Sequence, residues 1–277
     1  MNYSGPTILA RTMSAPTKKG KSKEAWQYHS RSDVHSKVAC WTLLFDLLSH
    51  CDAARRVAAA GRMGFGINHV MVGPINKTLD LVITLVPEDR LAAGRATFSD
   101  MVMRYHIVLN ESEASILNSL PTVIEDRKDD VSEIAVAIEA KACMTEHTKS
   151  LPRLHAEILA TGYLARLAAP QCITVSYNLV NAAPKFTSPG NQGKVNQHAQ
   201  PADARQVVDM LSRAIPLARQ AKNIGYDVIG ATVIECANDG SPVLVSTGEA
   251  APKNSEHVHY ERMIRAICAA YRNKFAR

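Results

Sequence analysis

The chain has 277 residues, of which 46% are hydrophobic, and a formal net charge of +6. That is enough apolar content for a sizeable core, and no run approaches the roughly 18 consecutive apolar residues that a membrane-spanning helix needs. Aromatic residues make up only 5%, which argues against a surface that mainly stacks single-stranded bases, while the basic balance tilts towards a polyanionic partner.

Residues 1–30 carry Lys18, Lys19, Lys21 and Lys23 among Gly, Ser, Thr and Pro with little apolar patterning. They are expected to form a flexible basic segment, either a solvated tail or an arm on nucleic acid. Residues 31–277 are expected to fold as a single domain. A helix is predicted from about Asp33, because Val38, Trp41, Leu44, Leu47 and Leu48 recur at helical spacing and Ser32 or Asp33 can cap it. It should end by Gly61. The glycine-rich stretch 61–66 lacks the residue order of a phosphate-binding loop and reads as a turn.

Strands are predicted at 67–72 and 79–86, separated by a Gly73-Pro74 turn, with Asp80 one residue inside the second. Residues 87–132 have mixed periodicity and end in a charged run, and are expected to be an insertion, helical in part, with an exposed loop. A strand at 134–142 follows. After a polar connection, Ser150 can cap a helix with Pro152 in its first turn, and Leu151, Leu154, Ile158 and Leu159 begin its apolar stripe. A strand at 172–180, a long loop at 183–201 and a helix at 202–222 come next. Strands at 226–235 and 243–247 are joined across Asn238-Asp-Gly240, and Ile264, Ile267, Cys268, Tyr271 and Phe275 mark a final helix.

The six cysteines are scattered and form no CxxC pair, so neither a zinc site nor a disulfide framework is expected, and a reducing cytosol fits best. The N-terminus shows no basic stretch followed by a long apolar one, which also points to a cytoplasmic protein.

The chemistry concentrates at Glu139-Ala-Lys141. In a strand, alternate side chains share a face, so Glu139 and Lys141 point one way and Ile134, Val136 and Ile138 the other. A carboxylate and an ammonium in an apolar strand are costly without a partner or a task. Asp80, on a preceding strand, supplies a second carboxylate. Two carboxylates make a hard oxygen site suited to Mg²⁺ or Mn²⁺, and a lysine beside it can orient a water and offset charge on a phosphate. The alternative is a structural ion pair in which Lys141 neutralises Glu139, which leaves Asp80 to find its own partner.

Asp80, the Glu139-x-Lys141 tripeptide and the order α-β-β-β-α-β over about residues 33–180 resemble the PD-(D/E)xK nuclease superfamily. The resemblance implies an α/β fold with a restriction-endonuclease-like core: a central mixed β-sheet flanked by helices. Residues 87–132 would be an insertion in that core and 184–277 a C-terminal extension. The chain departs from the pattern in having Leu79, not proline, before Asp80, and a longer gap from Asp80 to Glu139.

Carried over, the resemblance implies that Asp80 and Glu139 bind Mg²⁺ (or Mn²⁺) and that Lys141 assists the attacking water. His147, Lys149 and Arg153, in a region that faces substrate in the family, would contact nucleic acid; the alternative is an ordinary solvated first turn, with Glu157 one turn beyond Arg153 as its i,i+4 partner. Lys77, three residues before Asp80, is either a phosphate contact or an exposed turn lysine. The implied activity is that of a DNA endonuclease like those of restriction or phage defence. Cutting both strands suggests a homodimer, and a defence-system partner subunit belongs to the same picture. The competing expectations are a nucleic-acid-binding or regulatory protein that keeps the fold without activity, and a nuclease acting on RNA or single strands.

Overall fold

The computed structural model describes residues 2–18, 25–72, 75–86, 95–126, 133–189, 194–220 and 225–275. Its framework is a seven-stranded mixed sheet. Three of its strands, β3 (Met63–Met71), β4 (Lys77–Leu85) and β6 (Glu133–Cys143), form an antiparallel run in which β4 pairs with both of the others. Helix α6 (His147–Ala168) then crosses over to β7 (Ile173–Asn181), which lies parallel to β6. With helix α2 (Val34–His50) in front, and with the shorter elements between these set aside, the order reads α-β-β-β-α-β.

The C-terminal residues enlarge this sheet. Strand β10 (Val228–Glu235) adds in parallel to β7, and β11 (Leu244–Val245) pairs antiparallel with β10, as the turn chemistry around Asn238 predicts. At the far edge β5 (Ile124–Glu125) pairs with β3.

Helices cover both faces. On one side α1 (Gly5–Ser14), α2, α3 (Asp52–Ala59) and α8 (Tyr260–Phe275) bury Leu9, Leu44, Ala54 and Ile267 against Val136, Ile138 and Val175. On the other, α6 and α7 (Ala202–Gln220) bury Ile158 and Val207 against Val180 and Ile229. Strands covered on both faces read as near-continuous apolar runs, which is why 134–142 and 172–180 were legible. Gly230 allows the close approach of α8, since a Cβ there would overlap Met263. Among the described residues no helix is long and apolar enough to cross a membrane.

Several expectations need correction. The N-terminal segment is not a loose arm as a whole: α1 buries Ile8, Leu9, Ala10 and Met13, and β1 (Thr17–Lys18) pairs with β2 (Ala25–Trp26). The helix starts without a basic or apolar block because Pro6 lies in its first turn and its first N–H groups are satisfied from afar by Asp46. Lys18 ends β1, and Lys19, Lys21 and Lys23 lie outside the described residues.

The first long helix breaks at Cys51 into α2 and α3. Only Gly61 (φ +69°) belongs to a turn; Met63 already opens β3. Helix α6 begins three residues before Ser150, so Pro152 lies inside it, and the Ser150 hydroxyl donates to the His147 carbonyl instead of capping. The long loop holds a hairpin of β8 (Lys185–Ser188) and β9 (Lys194–Gln197).

The insertion is integrated with the core. Within it, α4 (Asp100–Arg104) and α5 (Glu111–Ser119) are helical, the latter closed by an Asn110–Glu113 capping box. Phe98 stacks on Trp41 at 4.8 Å. The charged run from 127 to 132 and the stretch 87–94 lie outside the described residues.

Strand β6 carries an extra residue. Ile83 pairs with Val136 but Thr84 with Ile134, so the register shifts at Ala135. Ile134 therefore packs with Met71, Leu79 and Val82 rather than on the side of Val136 and Ile138. Finally, Cys51 and Cys268 form a disulfide, with Cα atoms 5.5 Å apart, against the expectation of free thiols. A sequence separation of 217 hides the pairing from any spacing rule.

Candidate functional site

The antiparallel ladder between β4 and β6 ends at Leu81 and Ile138. Just beyond it the next residues bring side chains together. Asp80 turns its carboxylate onto the neighbouring strand, where Oδ2 accepts a hydrogen bond from the Ala140 N–H at 2.8 Å. Its side chain thus replaces a backbone acceptor where the ladder stops. The Ser36 hydroxyl on α2, which donates to the Asp33 carbonyl at 2.9 Å, lies near enough to the same carboxylate to lower its pKa.

Glu139, 4% exposed, receives two ammonium groups on one oxygen. Lys141 Nζ lies 2.7 Å and Lys77 Nζ 3.0 Å from Oε1. Lys141 also reaches Glu157 Oε2 on α6 at 3.1 Å, and Arg153 Nε stands 3.4 Å from Glu157 Oε1. Carboxylates and cations therefore alternate from the first turn of β4 across β6 to the α6 surface.

Position sets the electrostatics. Burial, then the charge of Glu139, pushes the Asp80 carboxyl above its usual range, while the Ala140 N–H, Ser36 and Lys141 pull it back in part. Burial works against the Lys141 ammonium, but the Glu139 and Glu157 carboxylates outweigh it and raise its pKa. Lys141 is therefore a cation at neutral pH, able to donate hydrogen bonds but not to take a proton. Tyr226 lies behind the site, its hydroxyl pKa raised by burial first and by Glu139 second.

Of the residues singled out from sequence, Asp80, Glu139, Lys141 and Lys77 come together. Arg153 is an exposed neighbour through Glu157. His147 is not on a substrate-facing surface: it is 2% exposed, with Nε2 2.7 Å from the Asn181 carbonyl oxygen, because α6 starts at this residue and draws it inward. Lys149 is exposed and paired with Glu146, away from the carboxylates. Cys143 is a packing residue beside Ser150.

The sequence reading missed three contributors: Ser36, the Glu157 bond to Lys141, and the pair Ser176 and Asn178 on β7. The last had a signal, namely two polar residues at spacing two in an apolar strand, which is the signal that exposed Glu139 and Lys141.

Asp80 and Glu139 are the side chains that could hold a cation. Among the described residues no three His, Cys, Asp or Glu side chains converge as a metal-holding group. Two carboxylates with water suit Mg²⁺, which keeps several of its waters and often takes only one or two carboxylates.

No protein-family model matches this sequence, no curated protein matches it, and no solved structure matches the fold.

Proposed function

We propose that the protein is a divalent-metal-dependent nuclease that hydrolyses phosphodiester bonds in DNA, with a restriction-endonuclease-like core. The observation that carries this reading is Asp80 bonded to the peptide next to Glu139, with Lys141 on the same carboxylate. A structural reading gives Asp80 and Glu139 separate tasks, the Ala140 N–H for one and the lysines for the other, whereas the nuclease reading accounts for both acids standing at the same end of one ladder. The α-β-β-β-α-β order supports the same reading.

The donor set fits Mg²⁺ or Mn²⁺, which Asp80 and Glu139 would hold. Such an ion, when bound, polarises the phosphodiester and makes a water more acidic. The chain's own residues do the rest. Lys141, held as an ammonium, orients the attacking water through its N–H groups and offsets charge that builds on the phosphate oxygens. Lys77, at the exposed start of β4, can leave Glu139 for a phosphate oxygen. Arg153 lies at the rim and steers the polyanion. Hydrolysis joins the water oxygen to phosphorus and breaks the bond to the leaving oxygen, with one water proton ending on that leaving oxygen and the other passing to solvent.

Cleavage of both strands needs two such sites, hence a homodimer; a setting in phage defence and a defence-system partner subunit rest on the resemblance alone, and a cytoplasmic location on cysteine usage and the N-terminal pattern. The Cys51–Cys268 pair bears on location, because disulfides are rare in a reducing cytosol.

A second reading has its own observation. Glu139 is already neutralised by two ammonium groups, which suits a nucleic-acid-binding protein with the same core and no activity. Supercoiled plasmid with Mg²⁺ or Mn²⁺ separates the two. Metal-dependent nicking that disappears in Glu139→Ala and Lys141→Met supports the nuclease. No nicking, with tight and salt-sensitive DNA binding, supports the binding protein. A single-stranded or RNA substrate cleaved in preference to the plasmid moves the substrate class and keeps the site.

A further inference from the structure

Strand β7 repeats the polar pair of β6. The parallel register sets Glu139 beside Ser176 and Lys141 beside Asn178. Partners in such a ladder point to the same face, so the two pairs form one buried polar patch.

Asn178 is 2% exposed, and its carboxamide orientation is determined. Nδ2 donates to the Ser176 carbonyl at 3.3 Å, the Ser176 hydroxyl at 3.0 Å and the Gly230 carbonyl at 3.1 Å. Flipping the group would set Oδ1 against two carbonyl oxygens. Oδ1 is buried and has no hydrogen-bond partner. A fixed, buried acceptor left unpaired costs stability, and such groups call for an explanation.

Lys141 supplies one. Its ammonium carries three N–H groups, and its partners are Glu139 at 2.7 Å and Glu157 at 3.1 Å. A cation arriving on Glu139 competes with both lysines for that carboxylate. Lys77 can turn outwards from the start of β4, whereas Lys141, near the end of β6 and tied to Glu157 on α6, stays in place with an N–H group free for a further acceptor on β7.

We propose that Asn178 is a positioning residue of this site: its Oδ1 is the acceptor to which Lys141 moves a hydrogen bond when a divalent cation takes Glu139. Asn178 thereby keeps the ammonium beside the cation instead of on top of it. The proposal rests on the reading of Asp80 and Glu139 as a Mg²⁺ site, and the experiment distinguishes failure of one from failure of the other.

The measurement is Mg²⁺ binding to the full chain by calorimetry, without nucleic acid. Asn178→Leu keeps the bulk and loses the acceptor, and its Mg²⁺ affinity falls roughly tenfold. In the Lys141→Met background, where no ammonium is left to move to Oδ1, Asn178→Leu causes no further loss. A merely structural Asn178 acts through its Nδ2 donors, so it predicts the same loss with and without Lys141. The same loss in both backgrounds, or no loss from Asn178→Leu beside Lys141, overturns the proposal.

Should the leucine variant not fold, the unsubstituted protein answers by NMR. Mg²⁺ shifts the Asn178 carboxamide carbon, and Lys141→Met abolishes the shift; an unmoved resonance overturns the proposal. Mg²⁺ binding that is lost in Glu139→Gln yet insensitive to Asn178→Leu defeats this proposal alone. A protein that binds no Mg²⁺, or binds it equally well as Glu139→Gln, defeats the metal reading and this proposal with it.

Discussion

Glu139 is where stability and chemistry coincide, because one buried carboxylate oxygen holds Lys77 and Lys141. Glu139→Ala leaves both ammonium groups without their shared acceptor and should cost about 3 kcal/mol, read as a lower urea midpoint. Asp80 behaves oppositely. Its folded pKa is raised, so its contribution to stability is fully present below the unfolded value and is lost as pH rises through the folded one. At pH 8 the charge opposes folding. Asp80→Asn should therefore unfold at higher urea than the parent at pH 8 while losing metal-dependent nicking. A variant both less stable and inactive would mean that the charged Ala140 bond outweighs burial and the repulsion from Glu139.

Helix α1 shows what an element can owe to residues far along the chain. Its first N–H groups bond Asp46, at 3.1 Å from Ser4 N and 2.7 Å from Gly5 N. Burial, opposed by those two bonds, raises the Asp46 carboxyl from 3.8 to about 6. The associated stability is present below pH 3.8 and is lost as pH passes about 6, a change of roughly 3 kcal/mol. Asp46→Asn should lack that part of the pH slope when urea unfolding is compared between pH 4 and 7.5. Arg11 of the same helix bridges to Glu113 in the insertion at 2.6 Å. Ile8, Leu9 and Met13 are essentially inaccessible to solvent. Removing residues 1–16 should cost roughly 6 kcal/mol from those three side chains, about the whole stability of a typical domain. The truncated chain should lack a cooperative thermal transition by circular dichroism; a folded truncation would restore the idea of a dispensable arm.

For the molecule as a whole, the Cys51–Cys268 disulfide ties the end of α2 to α8 across a separation of 217 residues. Closing so long a loop restricts the unfolded chain, and Cys268→Ser should lower stability by about 2–4 kcal/mol in oxidising buffer. With a reductant present, parent and variant should unfold nearly together. What the sequence determined by itself was local or periodic. Apolar runs in 134–142 and 172–180 announce strands covered on both faces, helical stripes announce α2, α6 and α8, and Glu139-x-Lys141 announces a shared face because strand side chains alternate. Periodicity cannot say which residue a strand meets. That Asp80 bonds the peptide beside Glu139, that Lys77 joins Lys141 on one oxygen, that Asn178 stands in register with Lys141, and that Asp46 starts α1 all depend on pairings between distant segments. So do the bulge at Ala135 and the inward turn of His147. These are decided by register and packing, where the free energy of a contact depends on what lies opposite, and only the tertiary structure sets that.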